Sequence, residues 1–153
     1  NLPKLSKGPD RLVKIIQHYK EKKDNKILVI LSGKRRDFLI NELDKLGINY
    51  LYKEMVDLKT VNELYNILDL YIVSSRFEGG PQSVLECAIT KTPIISTDVG
   101  LASSVLSSSS IFDMNNYKIA VPDTNYAYKR VEDFKLIKSM PRYIKMLEYA
   151  FES

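Results

Sequence analysis

Apolar residues along this chain alternate between short continuous runs and stretches where they recur every three or four positions, the pattern of strands interleaved with helices. Continuous runs at 27–32, 48–52, 70–74 and 93–97, with a shorter one at 110–112, predict five strands. The first of them, Ile27-Leu28-Val29-Ile30-Leu31-Ser32, ends in Gly33 and reads as a strand covered on both faces. Helical periodicity fills the gaps. A helix is predicted over 10–22, with Leu12, Ile15, Ile16 and Tyr19 on one face, and another over 36–46, closed by Gly47 as its C-cap. Shorter helices are predicted at 60–67, 82–90 and 100–107.

Strand, helix and strand repeated in this order require right-handed crossovers and parallel pairing, so the expected fold is α/β: a Rossmann-like parallel sheet of about five strands with helices on both faces. Ligands of such sheets lie at the carboxyl ends of the strands. Beyond residue 113 the pattern weakens into turn chemistry at 113–116 and 122–125, and 107–110 reads as a polar loop. A carboxyl-terminal helical region follows at about 126–151, interrupted by Pro141 as a kink or a fresh helix start. No repeat or linker divides the chain, and 1–153 is expected to form one domain.

The 153 residues are 44% apolar, enough for an ordinary core. No apolar run approaches the roughly 20 residues of a membrane span, and the amino terminus lacks a secretory h-region, so a cytoplasmic location is the expectation. The single Cys87 lies among Val84, Leu85, Ala88 and Ile89 and reads as a small core residue rather than a nucleophile. A net charge of +4 is spread along the chain without a basic face or interleaved aromatics, so no nucleic-acid partner is expected. Peripheral association with an anionic membrane stays open. The cluster at 20–23 reads as a solvated helix end.

No strand is followed by a Gly-x-Gly-x-x-Gly turn or by a phosphate loop ending in Gly-Lys-Ser or Gly-Lys-Thr, which argues against bound NAD and ATPase chemistry. No His and Cys cluster has metal-ligand spacing, and the lone His18 sits on the first helix between Gln17 and Tyr19. The informative segment is Glu78-Gly79-Gly80-Pro81-Gln82-Ser83-Val84-Leu85-Glu86, which links a predicted strand to a predicted helix. Unpaired N–H groups at a helix start attract phosphate oxygens, and carboxylates accept hydrogen bonds from sugar hydroxyls. The combination suits a nucleotide sugar, provided that Glu78 and Glu86 converge on one ligand.

The stretch from Val73-Ser74-Ser75-Arg76-Phe77-Glu78-Gly79-Gly80-Pro81 to Glu86, followed by Thr92-Pro93-Ile94-Ile95-Ser96-Thr97-Asp98-Val99-Gly100, resembles the donor-binding half of retaining GT-B glycosyltransferases, the group 1 or family 4-like enzymes. Lys7-Gly8-Pro9-Asp10 resembles the Lys-Gly opening of the first helix in that half, and Leu64-Tyr65 ahead of Asp69 resembles its approach to the next strand. The likeness spans about residues 5 to 105. It implies that Glu78 meets the donor hexose hydroxyls, Glu86 the ribose hydroxyls and Lys7 the diphosphate. It also implies a reaction without an obligatory metal or other cofactor, with Lys7 and Glu78 in the catalytic roles.

Around these residues, Gly79 and Gly80 allow close backbone approach, Pro81 shapes the turn, and the N–H groups of Gly80, Gln82 and Ser83 can meet phosphate or sugar oxygens. A carboxylate-to-hydroxyl bond shielded from water contributes about 1.5–3 kcal/mol. The competing reading of Glu78 is a solvated loop charge, and of Glu86 a surface helix residue. Ser75 is expected to bond to nearby backbone and Arg76 to be exposed.

Lys34-Arg35-Arg36 place three cations at a helix start, where they oppose the macrodipole by roughly 0.3–1 kcal/mol each. Either an anion sits there, or the side chains snorkel into water. Met55 and Val56 lie in the segment that in the family holds the base, and core packing is the alternative.

The chain starts at the Lys-Gly region, so the strand that normally precedes it, an Arg that assists Lys7, and the acceptor domain are all absent from the sequence. The expected function is the nucleotide-diphosphate-sugar binding domain of a retaining hexosyltransferase, using a UDP-sugar or a relative. Its partners would be the nucleotide sugar and a glycan or lipid-linked acceptor held by an N-terminal domain. Alternatives are a nucleotide-sugar epimerase of the same architecture, a non-catalytic sugar-nucleotide sensor or interaction module, and a response-regulator-like domain, which would leave the Glu-Gly-Gly-Pro loop without a role.

Overall fold

The computed structural model describes residues 4–24 and 26–152. In chain order the elements are α1 (Pro9–Lys22), β1 (Leu28–Ser32), α2 (Asp37–Lys45), β2 (Asn49–Lys53), α3 (Leu58–Ile67), β3 (Tyr71–Val73), α4 (Gln82–Thr90), β4 (Ile94–Thr97), α5 (Ala102–Val105), β5 (Ile111–Phe112), α6 (Thr124–Val131) and α7 (Leu136–Glu152). Each predicted strand is present, and every pairing is parallel. The α/β class with parallel strands flanked by helices is therefore the fold.

The hydrogen-bonded ladders divide where one sheet was expected: β1 pairs with β2, and β3-β4-β5 form a second ladder. Packing of α1 spans the division. Its adjacent residues Ile15 and Ile16 are both buried but enter different clusters, Ile15 with Ile95 and Phe112, and Ile16 with Leu31, Leu39, Leu43 and Ile48. Helix packing thus ties the two ladders together, whatever their hydrogen bonding.

On β3-β4-β5 helices cover both faces. Val73, Ile94 and Ile111 meet residues of α3, α4, α5 and α6, while Ile72, Ile95 and Phe112 meet α1. All four residues of β4 are buried. The first ladder differs from expectation. Val29, Leu31, Tyr50 and Tyr52 face the cluster of α1 and α2, but on the opposite face Leu28 is 61% and Leu51 42% exposed. An apolar run does not distinguish these two environments, because strand residues read the same whether or not something covers the second face.

Local chemistry explains the element ends. Gly47 adopts φ +61°, its N–H reaches the Asp44 carbonyl at 3.0 Å, and the Ile48 N–H reaches Leu43 at 2.9 Å. This is a Schellman cap with the predicted glycine at its left-handed position. Lys20 leaves the solvated cluster and donates to the Leu46 carbonyl at the same helix end. Asp123 caps α6 through the Tyr126 N–H at 2.9 Å. The helix expected at 100–107 shortens to α5, and the serine segment forms a 3-10 turn whose buried Ser110 hydroxyl donates to the Val121 carbonyl at 3.1 Å.

Of the two readings of Pro141, the fresh helix start is not what forms: α7 runs through it, and the break falls earlier, at a 3-10 turn over Glu132–Phe134 and the extended Lys135. Proline in a helix removes one donor without forcing a stop, and the carbonyl of Ile137 loses its intrahelical partner. The stripe Ile137, Met140, Ile144, Leu147 and Phe151 is exposed. Among the described residues no helix is long and apolar enough to cross a membrane.

The start of α1 is fastened to the end of β3. Gly8 adopts φ +60°, and a Cβ added there would lie 2.0 Å from the Ser74 carbonyl oxygen, so only glycine fits. The buried Ser74 hydroxyl donates to the carbonyls of Gly8 at 3.0 Å and Lys7 at 3.2 Å. The Arg76 N–H donates to the Ser6 carbonyl at 2.7 Å. The Arg76 guanidinium, expected to be free in solvent, instead grips both Asp10 oxygens at 2.8 and 2.7 Å and the Leu5 carbonyl at 3.0 Å. That fork holds the Asp10 carboxyl down at about 2.

Two outcomes follow for stability. Gly8→Ala combines left-handed strain with a main-chain clash and is expected to cost about 2–4 kcal/mol in urea unfolding. Gly47→Ala, where a Cβ meets nothing within 4 Å, should cost only about 1 kcal/mol. Equal costs would show that the Gly8 contact is not limiting. The depressed Asp10 value means its stabilisation is complete above the ordinary carboxyl range and is lost as pH falls from about 4 toward 2. The pair is partly exposed, so the loss is on the order of 0.2–1 kcal/mol, and Asp10→Asn should flatten the melting-temperature profile over that window.

Candidate functional site

Docking of residues 5–8 onto β3 determines where Lys7 points. Its Nζ lies 2.5 Å from Glu78 Oε1, and the Ser75 hydroxyl donates to the same oxygen at 2.6 Å. Ser75 therefore serves the carboxylate rather than nearby backbone, contrary to the sequence expectation. Its own carbonyl accepts from the Thr97 hydroxyl at 2.7 Å, which braces this loop against the end of β4. Burial opposes the charge on Glu78, but hydrogen bonds from Lys7 and Ser75, with the charges of Lys7 and Lys4, outweigh it and lower the carboxyl below its usual range. Glu78 is an ionised acceptor with one oxygen engaged.

Glu78 lines a surface cleft of about 490 Å³ together with Arg76, Phe77, Gly79, Asp98, Val99 and Gly100. The cleft lies at the carboxyl ends of β3 and β4, where an α/β sheet presents its ligands. Gly100 adopts φ +55°, and a Cβ there would stand 2.8 Å from the Gly79 carbonyl oxygen, so the loop after β4 presses directly on the Glu78-Gly79 turn. A Cβ at Gly79 would meet nothing within 4 Å, and one at Gly80 only Leu101 at 3.5 Å, so these two glycines leave open space rather than relieve a clash. Phe77 is 78% exposed on the cleft wall. Sequence reading gave it no role, although an apolar ring beside a predicted binding carboxylate was a usable signal. Asp98 also lines a second cavity, of about 530 Å³, with Ser103, Ser107, Ser108 and Tyr126.

Glu86 has a different setting. It lies on α4, half-buried, and its Oε2 accepts from the Tyr65 hydroxyl at 2.7 Å. It does not line the Glu78 cleft, so the expected convergence of the two carboxylates on one pocket edge is not seen. Between them, buried Pro81 stands at the N-cap of α4 and supplies no side-chain cap. Gln82 is exposed and Ser83 half-buried in the first turn. That turn presents N–H groups beside the Gly79-Gly80 turn.

The other expected residues are dispersed. Lys34 and Arg35 are exposed, with Arg35 at φ +62°. Arg36 folds back so that its Nε donates to the Ser32 carbonyl at 2.8 Å, and Asp37 supplies an acid in the first turn of α2. The expected conflict with the helix dipole is thereby reduced without an anion. Met55 is 76% exposed, which excludes core packing for it, and Val56 is half-buried. Cys87 is fully buried as expected, and burial pushes its thiol up. His18 packs edge-on against Tyr19 and Tyr117.

Solved structures that share this fold include proteins described as glycosyltransferases, among them WaaG and AviGT4. The GtfA/B complex aligns over 100% of this chain and 35% of its own, at 14% identity and TM-score 0.71. A variant of TarM from S. aureus, solved in complex with Fondaparinux, alpha-GlcNAc-glycerol and UDP, aligns over 99% of this chain and 34% of its own, at 17% identity and TM-score 0.73. The catalytic domain of cholesterol-alpha-glucosyltransferase from Helicobacter pylori aligns over 94% of this chain and 91% of its own, at 22% identity and TM-score 0.61. The chain thus spans about a third of the length of the first two. No relative among curated proteins matches it. The sequence profile described as Glycosyl transferases group 1 matches residues 3–146, nearly the whole chain, and this chain belongs to that family.

Proposed function

We propose that this chain is the donor-binding, carboxyl-terminal domain of a retaining glycosyltransferase that takes its hexosyl group from a nucleoside-diphosphate sugar. The observation that carries the reading is Glu78, which lines a cleft at the strand ends with its carboxylate held by Lys7 and Ser75, beside a helix start without a side-chain cap. Family membership agrees with it. So do the solved relatives of the same fold, TarM in complex with UDP and the Anabaena protein HepE in complex with UDP-glucose.

In this reading the Lys7 ammonium has three donors, one of them on Glu78, and the others meet the diphosphate. As the bond to the sugar breaks, negative charge grows on the leaving diphosphate. Lys7 and the N–H groups of α4 stabilise it, so no metal is required in the scheme. Glu78 keeps its charge because Lys7 and Ser75 occupy Oε1, which leaves Oε2 to orient a sugar hydroxyl in the cleft. Phe77 offers an apolar wall for a sugar face. The acceptor, a glycan or a lipid-linked sugar, would be held by a second domain.

Calorimetric titration of the chain with UDP-, GDP- and ADP-sugars tests the reading. One of the three is expected to bind weakly, and Glu86→Ala should weaken whichever binds. Lys7→Met should weaken the nucleoside diphosphate by roughly tenfold while leaving the free nucleoside unchanged, because the lost contact is to phosphate. A folded sample silent toward all three donors would reject the proposal.

A further inference from the structure

Glu86 does not stand alone on α4. Tyr65, on the neighbouring α3, is 8% exposed and aims its hydroxyl at Glu86 Oε2 from 2.7 Å. Its ring lies 5.6 Å from that of Tyr71, whose hydroxyl in turn faces Tyr65 and Ser83, the latter in the first turn of α4. The Tyr65 carbonyl accepts from the Thr92 hydroxyl at 2.7 Å, and Thr92 is buried just after α4. The tyrosine is therefore fixed at both its backbone and its ring. Burial, then Tyr71 and Glu86, raise its phenol, so it stays a neutral donor.

One carboxylate oxygen of Glu86 is occupied by this donor. Among the described contacts, the other, Oε1, has no hydrogen-bond partner, and the residue is only half-buried. A long acidic side chain on a helix surface ordinarily samples several rotamers, and a donor on a rigid neighbour removes that freedom. We infer that Tyr65 is a positioning residue for nucleotide recognition: by binding Oε2 it holds Glu86 with Oε1 presented to the ribose hydroxyls of the donor. The inference rests on the nucleoside-diphosphate reading above. The rival account is packing alone, in which Glu86 merely satisfies a buried phenol.

Titration with UDP, GDP and ADP and with their 2′,3′-dideoxy counterparts separates these accounts, because only the ribose hydroxyls differ within each pair. Tyr65→Phe keeps the ring and removes the donor. It should weaken binding of the ribonucleotide by roughly tenfold, the scale of one hydrogen bond to a charged group, and leave the dideoxy form unchanged. In a Glu86→Ala background the same substitution should cost nothing more, since nothing remains to be positioned.

Equal weakening of both nucleotide forms by Tyr65→Phe, or additive costs in the double variant, would overturn the inference in favour of packing. An unchanged Tyr65→Phe beside a Glu86→Ala that has lost the ribose preference would overturn it too, while leaving Glu86 on the ribose. A wild-type chain that binds ribonucleotide and dideoxynucleotide equally would remove the ribose role of Glu86 itself. Thermal melts of each variant confirm that the chains compared are folded.

Discussion

The approach of Gly8 to the Ser74 carbonyl is the contact on which the site depends. Two main chains meet there with no room for a side chain, and the Ser74 hydroxyl seals the junction by donating to two carbonyls. The contact sets the entry angle of α1 and therefore the direction of Lys7. Without it, the 71 positions separating Lys7 from Glu78 would have to be closed by a flexible ammonium alone, and an exposed ion pair contributes only a few tenths of a kcal/mol to about 1 kcal/mol. Backbone geometry supplies the proximity, and the charges then exploit it.

A division of labour among polar groups follows. Arg76 and Asp10 lock the helix start to the loop, Thr97 and Ser75 lock the loop to β4, and Gly100 seats the next loop against Gly79. Arg76, which sequence alone makes look solvent-facing, thus has a structural use. Lys7 and Ser75 hold the Glu78 carboxylate, which lines the cleft, and Glu86 pairs with Tyr65 along α4. The two acids of the motif thus have distinct environments, one beside cations and the other beside phenols.

Most of the fold was legible because it is written in local periodicity. The five strands and the helices α1 to α4 fall within a few residues of their expected places, and Gly47 caps as its identity demands. What was not legible depends on partners remote in sequence. Nothing in Leu28 or Leu51 declares that one face of their ladder stays open, and nothing in Arg76 names Asp10, 66 positions away. Sequence left two readings of Pro141, and α7 continues through it because a missing donor can be tolerated where most of the helix faces solvent. At the site, nothing in the sequence paired Lys7 with Glu78, 71 positions away, and spacing could not say that Glu86 turns toward Tyr65. The Leu64-Tyr65 pair was noted as part of the motif without a task.

The apolar stripe of α7 lends that helix an energetic independence from the rest of the molecule. A helix of 17 residues with Ile137, Ile144, Leu147 and Phe151 in water gains little from tertiary packing, so its coil–helix balance is set largely by its own propensities and by the bond lost at Pro141. Amide exchange there should be fast compared with β4, where all four residues are enclosed. Any surface that settles on the stripe would gain hydrophobic burial and helical order in a single event.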